Sequence, residues 1–311
     1  MKHVSPAMKH VTPAPVPQLT ETDLRLLRVF RAVAEAGGLT AAETQLGMER
    51  STISRHLLAL ETRLGGRLCF RGPSGFELTD FGRRTLHASI AACDALDMVR
   101  HELNLARNIL SGELKIGIAD NCLSNPRCQL AETLTHFREA APDVTLNISI
   151  GLPSALVEDV LERRLHFAIS GQPASNGKLE YTSLFTEEFR LYAAAGLPLE
   201  LDDLHDSEIV LVTRTNDRRT QNLARRLQIK QHAVAFGLEA VATMLVGGRF
   251  IGFLPTHYVE MLGPIHRLQE VRGAEAFRYT TQFSLISAID RPLPPSGRLL
   301  AKLLTQPKKP G

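Results

Sequence analysis

Residues 37–64, GGLTAAETQLGMERSTISRHLLALETRL, constrain this chain more than any other stretch. Apolar residues recur at helical spacing on both sides of Gly47, and that glycine marks a tight turn between two short helices. Thr40, with Glu43 three residues later, has the form of a capping box in which each side chain satisfies the other's free backbone donor. In the helix over residues 50–64, Ile53, Leu57, Leu60 and Leu64 face inward, and Gly65-Gly66 ends it. Its outer face carries short polar side chains and arginines. A helix pair of this form lays its second member in the major groove of DNA.

The flanking residues extend the unit. Leu24, Leu27, Phe30, Val33 and Ala34 share one face of a helix over about 23–36, started by Thr20 or Thr22 and stopped by Gly37-Gly38. Strands at 67–70 and 76–79, joined through Gly72-Pro73-Ser74-Gly75, predict a β-hairpin, the wing of a winged helix-turn-helix. Thr79 then caps a long helix over 80–110 with Leu86, Ile90, Leu96, Val99, Leu103 and Ala106 as its apolar positions. About 30 residues of helix span ~45 Å, too long for a small domain. Its stripe needs a partner, so we read it as a linker that also serves as a dimerisation helix.

From Ser111 the pattern changes to strands alternating with helices. Strands at 112–119, 144–150 and 166–170 are separated by helices at 129–140 and 154–164. A second series follows: strands at 187–195, 208–213, 233–236 and 249–255, with helices near 220–228 and at 238–246. Such alternation predicts parallel, doubly wound α/β units, and two in series predict two lobes with a cleft between them. The expected organisation is a leader (1–19), a winged helix-turn-helix (20–79), a linker helix (80–110) and a two-lobed α/β domain (111–306). Lobe I takes 111–187 and 288–306, and lobe II takes 188–287.

Length and charge agree with this division. At 311 residues two domains are expected. The net charge is +3, and no lysine occurs between Leu19 and Glu113. Arginine suits bidentate contacts to phosphate and guanine, although arginine-rich codon usage would leave the same mark. Cys69, Cys93, Cys122 and Cys128 lack zinc-type spacing and fit a reducing cytosol. The eleven histidines form no HxxxH or HExxH pattern, so neither a metal nor a cofactor is expected. No apolar run reaches the ~18 residues that would span a membrane. MKHVSPA and MKHVTPA repeat in tandem at the N-terminus without an apolar core, which reads as a disordered leader and offers Met8 as a second start.

The chain resembles the LysR-type transcriptional regulators over essentially its whole length, from about Leu19 to Gln306. The resemblance is carried by LRVFRAVAEAGGLTAA, Leu46, STISRHLLALETRLGGRL, Arg71, LTDFG at 78–82 and VGGRFIGFLP at 246–255. It implies a homodimer or homotetramer on an inverted-repeat operator in double-stranded DNA. It also implies a small-molecule effector between two lobes that resemble periplasmic solute-binding proteins, RNA polymerase as a further partner, and a cytoplasmic location.

The family's DNA-contacting positions fall on Arg50, Ser51, Ser54 and Arg55. Arg50 enters the groove first and can donate two bonds to guanine, and the serines are short enough for close approach. Thr52 offers a methyl contact or faces the first helix, while Arg71 and Arg31 are candidate phosphate contacts. Two positions depart from the family. Glu43 stands where a small alanine is usual, and Glu49 where a serine usually caps the recognition helix. Between Thr20 and Gly82 eight arginines meet eight acids, and Glu77 in the wing has the wrong sign for phosphate. Non-specific affinity is therefore modest, and pairing of two copies must supply much of the binding.

Ligands of two-lobed α/β proteins sit at the carboxyl ends of strands beside helix N-termini. Those ends carry Asp120, Asn121 and Cys122; Leu152, Pro153 and Ser154; Ser170 and Gly171; Thr213, Arg214 and Thr215; Phe236 and Gly237; and Phe253. Arg214 suits a carboxylate and Asp120 an amine, which points to an effector with both groups or a largely neutral one. Otherwise Asp120 caps the next turn and Arg214 pairs with a local acid. Cys122 and Cys128 are close enough to bridge, but nothing nearby stabilises a thiolate, so they read as structural thiols. There is no GxSxG, P-loop or GxGxxG, and no acid–base pair at catalytic spacing, so no catalytic residue is assigned. An enzyme with an appended DNA-binding module, and a DNA-binding protein without a ligand, are the alternatives.

Overall fold

The computed structural model describes residues 15–72, 75–171, 176–197, 200–204, 208–214, 218–229, 232–263 and 265–306. Most of the leader, the wing tip at Pro73-Ser74, and Thr215 lie outside these residues. The chain divides into two compact units, 1–100 and 101–311.

The first unit opens with helix α1 (Glu21–Glu35), capped by Thr20 in a reciprocal box with Asp23. Asp23 is buried, accepts the Thr20 N–H at 2.8 Å and meets Arg63 from the third helix at 3.3 Å. Helix α2 (Leu39–Leu46) begins two residues earlier than expected from a cap at Thr40, with Gly38 at its cap position and no side-chain cap. Thr40 therefore lies inside the first turn, and the expected Thr40–Glu43 capping box does not form. Helix α3 (Arg50–Leu64) buries Ile53, Leu57 and Leu60 completely, against Leu27, Phe30, Val33, Ala42 and Leu68.

Strands β1 (Cys69–Gly72) and β2 (Gly75–Leu78) pair antiparallel, Cys69 opposite Leu78. β1 starts two residues later than expected, because Glu61 at the end of α3 takes the Leu68 N–H at 2.9 Å and holds that residue to the helix. Thr79 caps the next helix, α4 (Asp80–Leu105), by accepting the Gly82 N–H at 2.9 Å. A Cβ on Gly82 would lie 1.9 Å from the Leu68 carbonyl oxygen, so a glycine is needed for α4 to start against the wing. The helix ends at Leu105, short of the expected Leu110. Asn108 adopts a left-handed conformation (φ 59°), and the Asn108 and Ile109 N–H groups close back on Leu105 and Asn104, a Schellman stop with asparagine in the glycine place.

In the second unit the strands are β3 (Ser111–Ala119), β4 (Asp143–Gly151), β5 (Phe167–Gly171), β6 (Leu179–Ala194), β7 (Val210–Arg214), β8 (His232–Ala235), β9 (Phe250–Pro255), β10 (Leu268–Glu270) and β11 (Tyr279–Ala288). The helices are α5 (Leu130–Ala140), α6 (Pro153–Leu161), α7 (Arg218–Arg226), α8 (Leu238–Val246), α9 (Thr256–Leu262) and α10 (Pro295–Thr305). One sheet runs β4-β3-β5-β11-β6-β9-β7-β8, with β10 added to β6. β3 is parallel to β4 and β5, and β7 is parallel to β8 and β9, as strand–helix alternation requires. The expectation of purely parallel units is corrected at the centre: β6 and β11 are antiparallel to each other and to the strands beside them.

These two long strands carry the chain between the lobes. Phe185 of β6 packs in a core with Leu114, Ile116, Phe137, Phe167 and Leu300, whereas Phe189 and Leu191 pack with Leu211, Val241, Leu245 and Ile251. On β11, Tyr279 packs against the second core, and Phe283, Leu285, Ile286 and Ala288 belong to the first. The return to lobe I therefore falls near Gln282 and not at the expected 287/288. A strand apolar along its length bears no local mark of where it changes partners. Among the described residues no helix is long and apolar enough to cross a membrane.

Candidate DNA-contacting helix and inter-lobe cleft

The inward stripe of α3 leaves Arg50, Ser51 and Arg55 exposed and Thr52 and Ser54 half-buried, so all five sit at or beside its outer surface. Arg55 donates to the Thr52 hydroxyl at 3.1 Å, one turn back. Thr52 thus holds Arg55 in place, a third role beside the two expected for it. Glu49, at the cap position, makes no side-chain cap bond, and its carbonyl accepts from Thr52 and Ile53. The first amide of the helix, the Arg50 N–H, is instead taken by Glu43 Oε1 at 2.7 Å.

Two expected phosphate contacts have other work. Arg31 donates to Glu35 on its own helix at 2.7 Å, and Cys93 and Asp94 of α4 lie close enough to act on its charge. Arg71 is ion-paired to Glu61, a carboxylate shielded from water on α3. That pair ties the wing to the recognition helix, and charges already paired in this way attract phosphate weakly.

In the second unit the expected cleft residues fall into three groups. The first is a junction between the lobes. Asp120, just past β3, accepts the N–H of Leu238, the first residue of α8, at 2.7 Å. It therefore caps a helix of the opposite lobe, which is neither its own next turn nor a free acceptor for an amine. Beside it, Asn121 is left-handed (φ 62°), and its buried side-chain amide nitrogen has no partner among the described residues.

The second group lies at strand ends of lobe I. Leu152 precedes α6, which has proline at its start and no side-chain cap, and Ser154 is exposed in its first turn. Ser170 is fully buried opposite Ser284 of β11, and both hydroxyls lack a partner among the described residues. The third group is in lobe II. Thr213 donates its hydroxyl to the Ala233 carbonyl at 3.1 Å and so closes onto the sheet. Arg214 lies over the Phe189 ring and donates to the Tyr279 hydroxyl at 3.2 Å. It thus rests on an aromatic stack in which Tyr279 lies 4.8 Å from Phe189 and 5.3 Å from Phe253. Phe253 is buried in that stack, whereas Phe236 is 68% exposed.

Sequence reasoning missed the polar centre of the junction. Glu187 on β6 is 1% exposed and accepts from His257 Nε2 of α9 at 3.1 Å. Ser124 Oγ lies 2.9 Å from His257 Nδ1, and Asn125 reaches the same Glu187 oxygen at 3.5 Å. These residues join the turn after β3 to lobe II through a crossing strand. One signal was available: Phe185, Glu187, Phe189 and Leu191 occupy alternate positions of one strand, so a carboxylate stands in an inward row. Cys122 and Cys128 are free, and the Cys122 thiol donates to Cys128. That bond and burial push Cys122 upward, while accepting it pulls Cys128 down. Among the described residues no group of three His, Cys, Asp or Glu could hold a metal ion.

Residues 24–83 match the bacterial regulatory helix-turn-helix model of the lysR family, and residues 107–307 match the LysR substrate binding domain. The HTH-type transcriptional activator BauR of Pseudomonas aeruginosa is 35% identical over 249 residues, covering 78% of this chain and 81% of BauR. The transcriptional regulator YusT of Bacillus subtilis is 29% identical over 237 residues, covering 75% and 79%. Full-length OxyR from P. aeruginosa superposes with a TM-score of 0.66 at 17% identity, covering 93% of this chain and 95% of OxyR. Full-length CbnR in complex with its target DNA gives 0.60 at 22% identity, covering 90% and 98%. At those identities the two structures speak for the fold.

Proposed function

The chain belongs to the LysR family of transcriptional regulators, and from that premise we propose how its parts act. Residues 20–79 bind double-stranded DNA, α4 pairs two copies, and residues 111–306 sense a small molecule in the cleft between the lobes. The observation that carries the reading of DNA contact is the outer face of α3, where Arg50, Ser51, Ser54 and Arg55 are presented together. Leu96, Val99 and Leu103 on α4 are 43%, 58% and 64% exposed at helical spacing, a stripe that a second copy would cover. A dimer so formed sets two recognition helices on an inverted repeat, and a tetramer doubles this. RNA polymerase is the further partner, and the cytoplasm, where the DNA is, is the place of action.

The effector acts on the lobe junction. Asp120 already places a carboxylate at the N-terminus of α8, so an acidic effector group must compete with it there. Arg214 on its aromatic stack supplies the positive side of the cleft. Binding therefore changes how the lobes are held and, through α4, how the paired recognition helices are spaced.

The test uses the full-length protein in two steps. Selection from a random-sequence duplex library is expected to enrich a palindrome whose half-sites lie about one helical turn, or a multiple of it, apart. A metabolite screen by thermal shift should then find a compound that stabilises the protein without being consumed. Enrichment of a single asymmetric half-site would refute the paired reader, and turnover of the stabilising compound would refute the regulator reading of the cleft.

A further inference from the structure

We propose that Glu43 is the cap of the recognition helix, supplied by the preceding helix in place of the one that Glu49 does not make. The inference rests on the DNA-binding reading of α3 given above. Every helix starts with backbone N–H groups that lack an intrahelical acceptor. Serine, threonine, aspartate and asparagine at the cap position satisfy one of them because their oxygen sits close to the backbone. Glu49 is longer, and its carboxylate makes no such bond. Glu43 Oε1 does, at 2.7 Å from the Arg50 nitrogen.

The turn between α2 and α3 makes this reach possible. Gly47 is left-handed (φ 60°) and folds the chain back, and its N–H and that of Met48 both close on the Glu43 carbonyl. Glu43 therefore ties the turn twice, through its backbone oxygen and through its side chain. Its carboxylate is available because α2 starts at Leu39, after a Gly38 cap that makes no side-chain bond, so Glu43 takes no part in capping its own helix. The acceptor that a short side chain at position 49 would supply thus comes from position 43.

Arg50 is the residue whose amide is held and whose guanidinium stands at the leading end of the helix. Fixing its backbone orders the first turn of α3 before DNA arrives, so that ordering cost is not charged to binding. A carboxylate near DNA phosphates also repels them. Glu43 should therefore raise affinity for the specific site and lower it for unrelated DNA, and a general loss of stability would not produce that opposite pair of effects. It is a positioning residue, acting through the Arg50 backbone and not on a base.

The probes are the duplex enriched by the wild-type full-length protein from a random library, and a scrambled duplex of equal length. Glu43→Ala is expected to weaken the enriched duplex about tenfold, the size of a lost cap, without weakening the scrambled one. Glu43→Gln keeps an acceptor and is expected to remain within about threefold of wild type on the enriched duplex. Adding Glu49→Ser to Glu43→Ala restores a local cap and should recover most of the loss. Amide exchange over Arg50–Ile53 should quicken in Glu43→Ala and slow again in the double variant, with α1 unchanged. Equal weakening on both duplexes, wild-type affinity in Glu43→Ala, or no recovery on adding Glu49→Ser would each overturn the proposal. Should Glu43→Ala not fold, Glu43→Gln decides it through exchange: amides at Arg50–Ile53 as labile as in an uncapped helix would overturn it, and protected amides would support it. A wild type that enriches no duplex overturns the DNA-binding reading itself, and this inference with it.

Discussion

Asp120, at the end of β3 in lobe I, accepts a 2.7 Å hydrogen bond from the backbone N–H of Leu238, the first residue of α8 in lobe II. The two residues are 118 positions apart in the chain. A bond of this kind normally closes a helix by a residue next to it in sequence. Here it closes the helix and latches two lobes together. Asp120→Ala should therefore lower stability by about 1 kcal/mol, or ~2–4 °C in melting temperature for a domain of this size. Asp120→Asn, which keeps an acceptor, should lose less. Small-angle scattering of the full-length protein should show a more open second domain in Asp120→Ala, and an unchanged profile would remove Asp120 from the latch.

The exposed and paired arginines of the first unit should separate cleanly. Arg50→Ala and Arg55→Ala are each expected to cost about 1–3 kcal/mol in specific DNA binding, measured by fluorescence anisotropy on the enriched duplex. Arg31→Ala should leave that affinity within about twofold, because its half-buried guanidinium is engaged by Glu35 and lies beside Cys93 and Asp94 of α4. A loss at Arg31 as large as at Arg50 would return it to the DNA surface.

The stripe on α4 makes a prediction about assembly. Leu96→Glu together with Val99→Glu should convert an oligomer into a monomer in sedimentation velocity. Far-ultraviolet dichroism should barely change, since both side chains are largely exposed within the single chain. Sedimentation of the wild type as a monomer would sink the idea directly.

His166 couples the second unit to pH. Its ring Nδ1 accepts the Lys115 backbone N–H at 2.9 Å, and its backbone N–H donates to the Lys115 carbonyl at 2.8 Å. Burial, then the nearby charge of Arg291, lower its pKa from 6.5 to about 4. The unfolded chain thus binds a proton between these values that the folded chain refuses. The stabilising contribution is full above pH 6.5 and is lost as pH falls toward 4. Urea midpoints should drop through that window in wild type, and this fall should flatten in His166→Gln. An identical fall in the variant would assign it to other groups.

Much of the site was legible because its determinants are local. The inward stripe of Ile53, Leu57 and Leu60 needs nothing beyond helical spacing, and it leaves Arg50, Ser51 and Arg55 outside. Thr79 capping α4, and the strand–helix alternation after Ser111, have the same character. Errors arose where a local rule had a rival. Thr40 and Glu43 satisfy the capping-box pattern, yet a helix starting at Leu39 has no use for it, and the carboxylate found α3 instead. The Arg71–Glu61 pair left no mark in the pattern because its partner stands on another element, whereas Arg31 and Glu35 lie four residues apart on one helix, where spacing does show them.

The sequence by itself determined most helices and strands up to Pro255, their order and the face of α3 turned outward, since each depends on periodicity and caps within a few turns, but it left α9, β10, β11, α10 and the first half of β6 unread. Tertiary structure decided which polar groups meet: Asp120 with Leu238, Glu187 with His257 and Ser124, and Arg214 with Phe189 and Tyr279. Hydrogen bonds act over about 3 Å and depend on direction, so residues far apart in the chain can form them after the backbone has been placed. Apolar burial has no such direction and can be read from spacing before the fold is known.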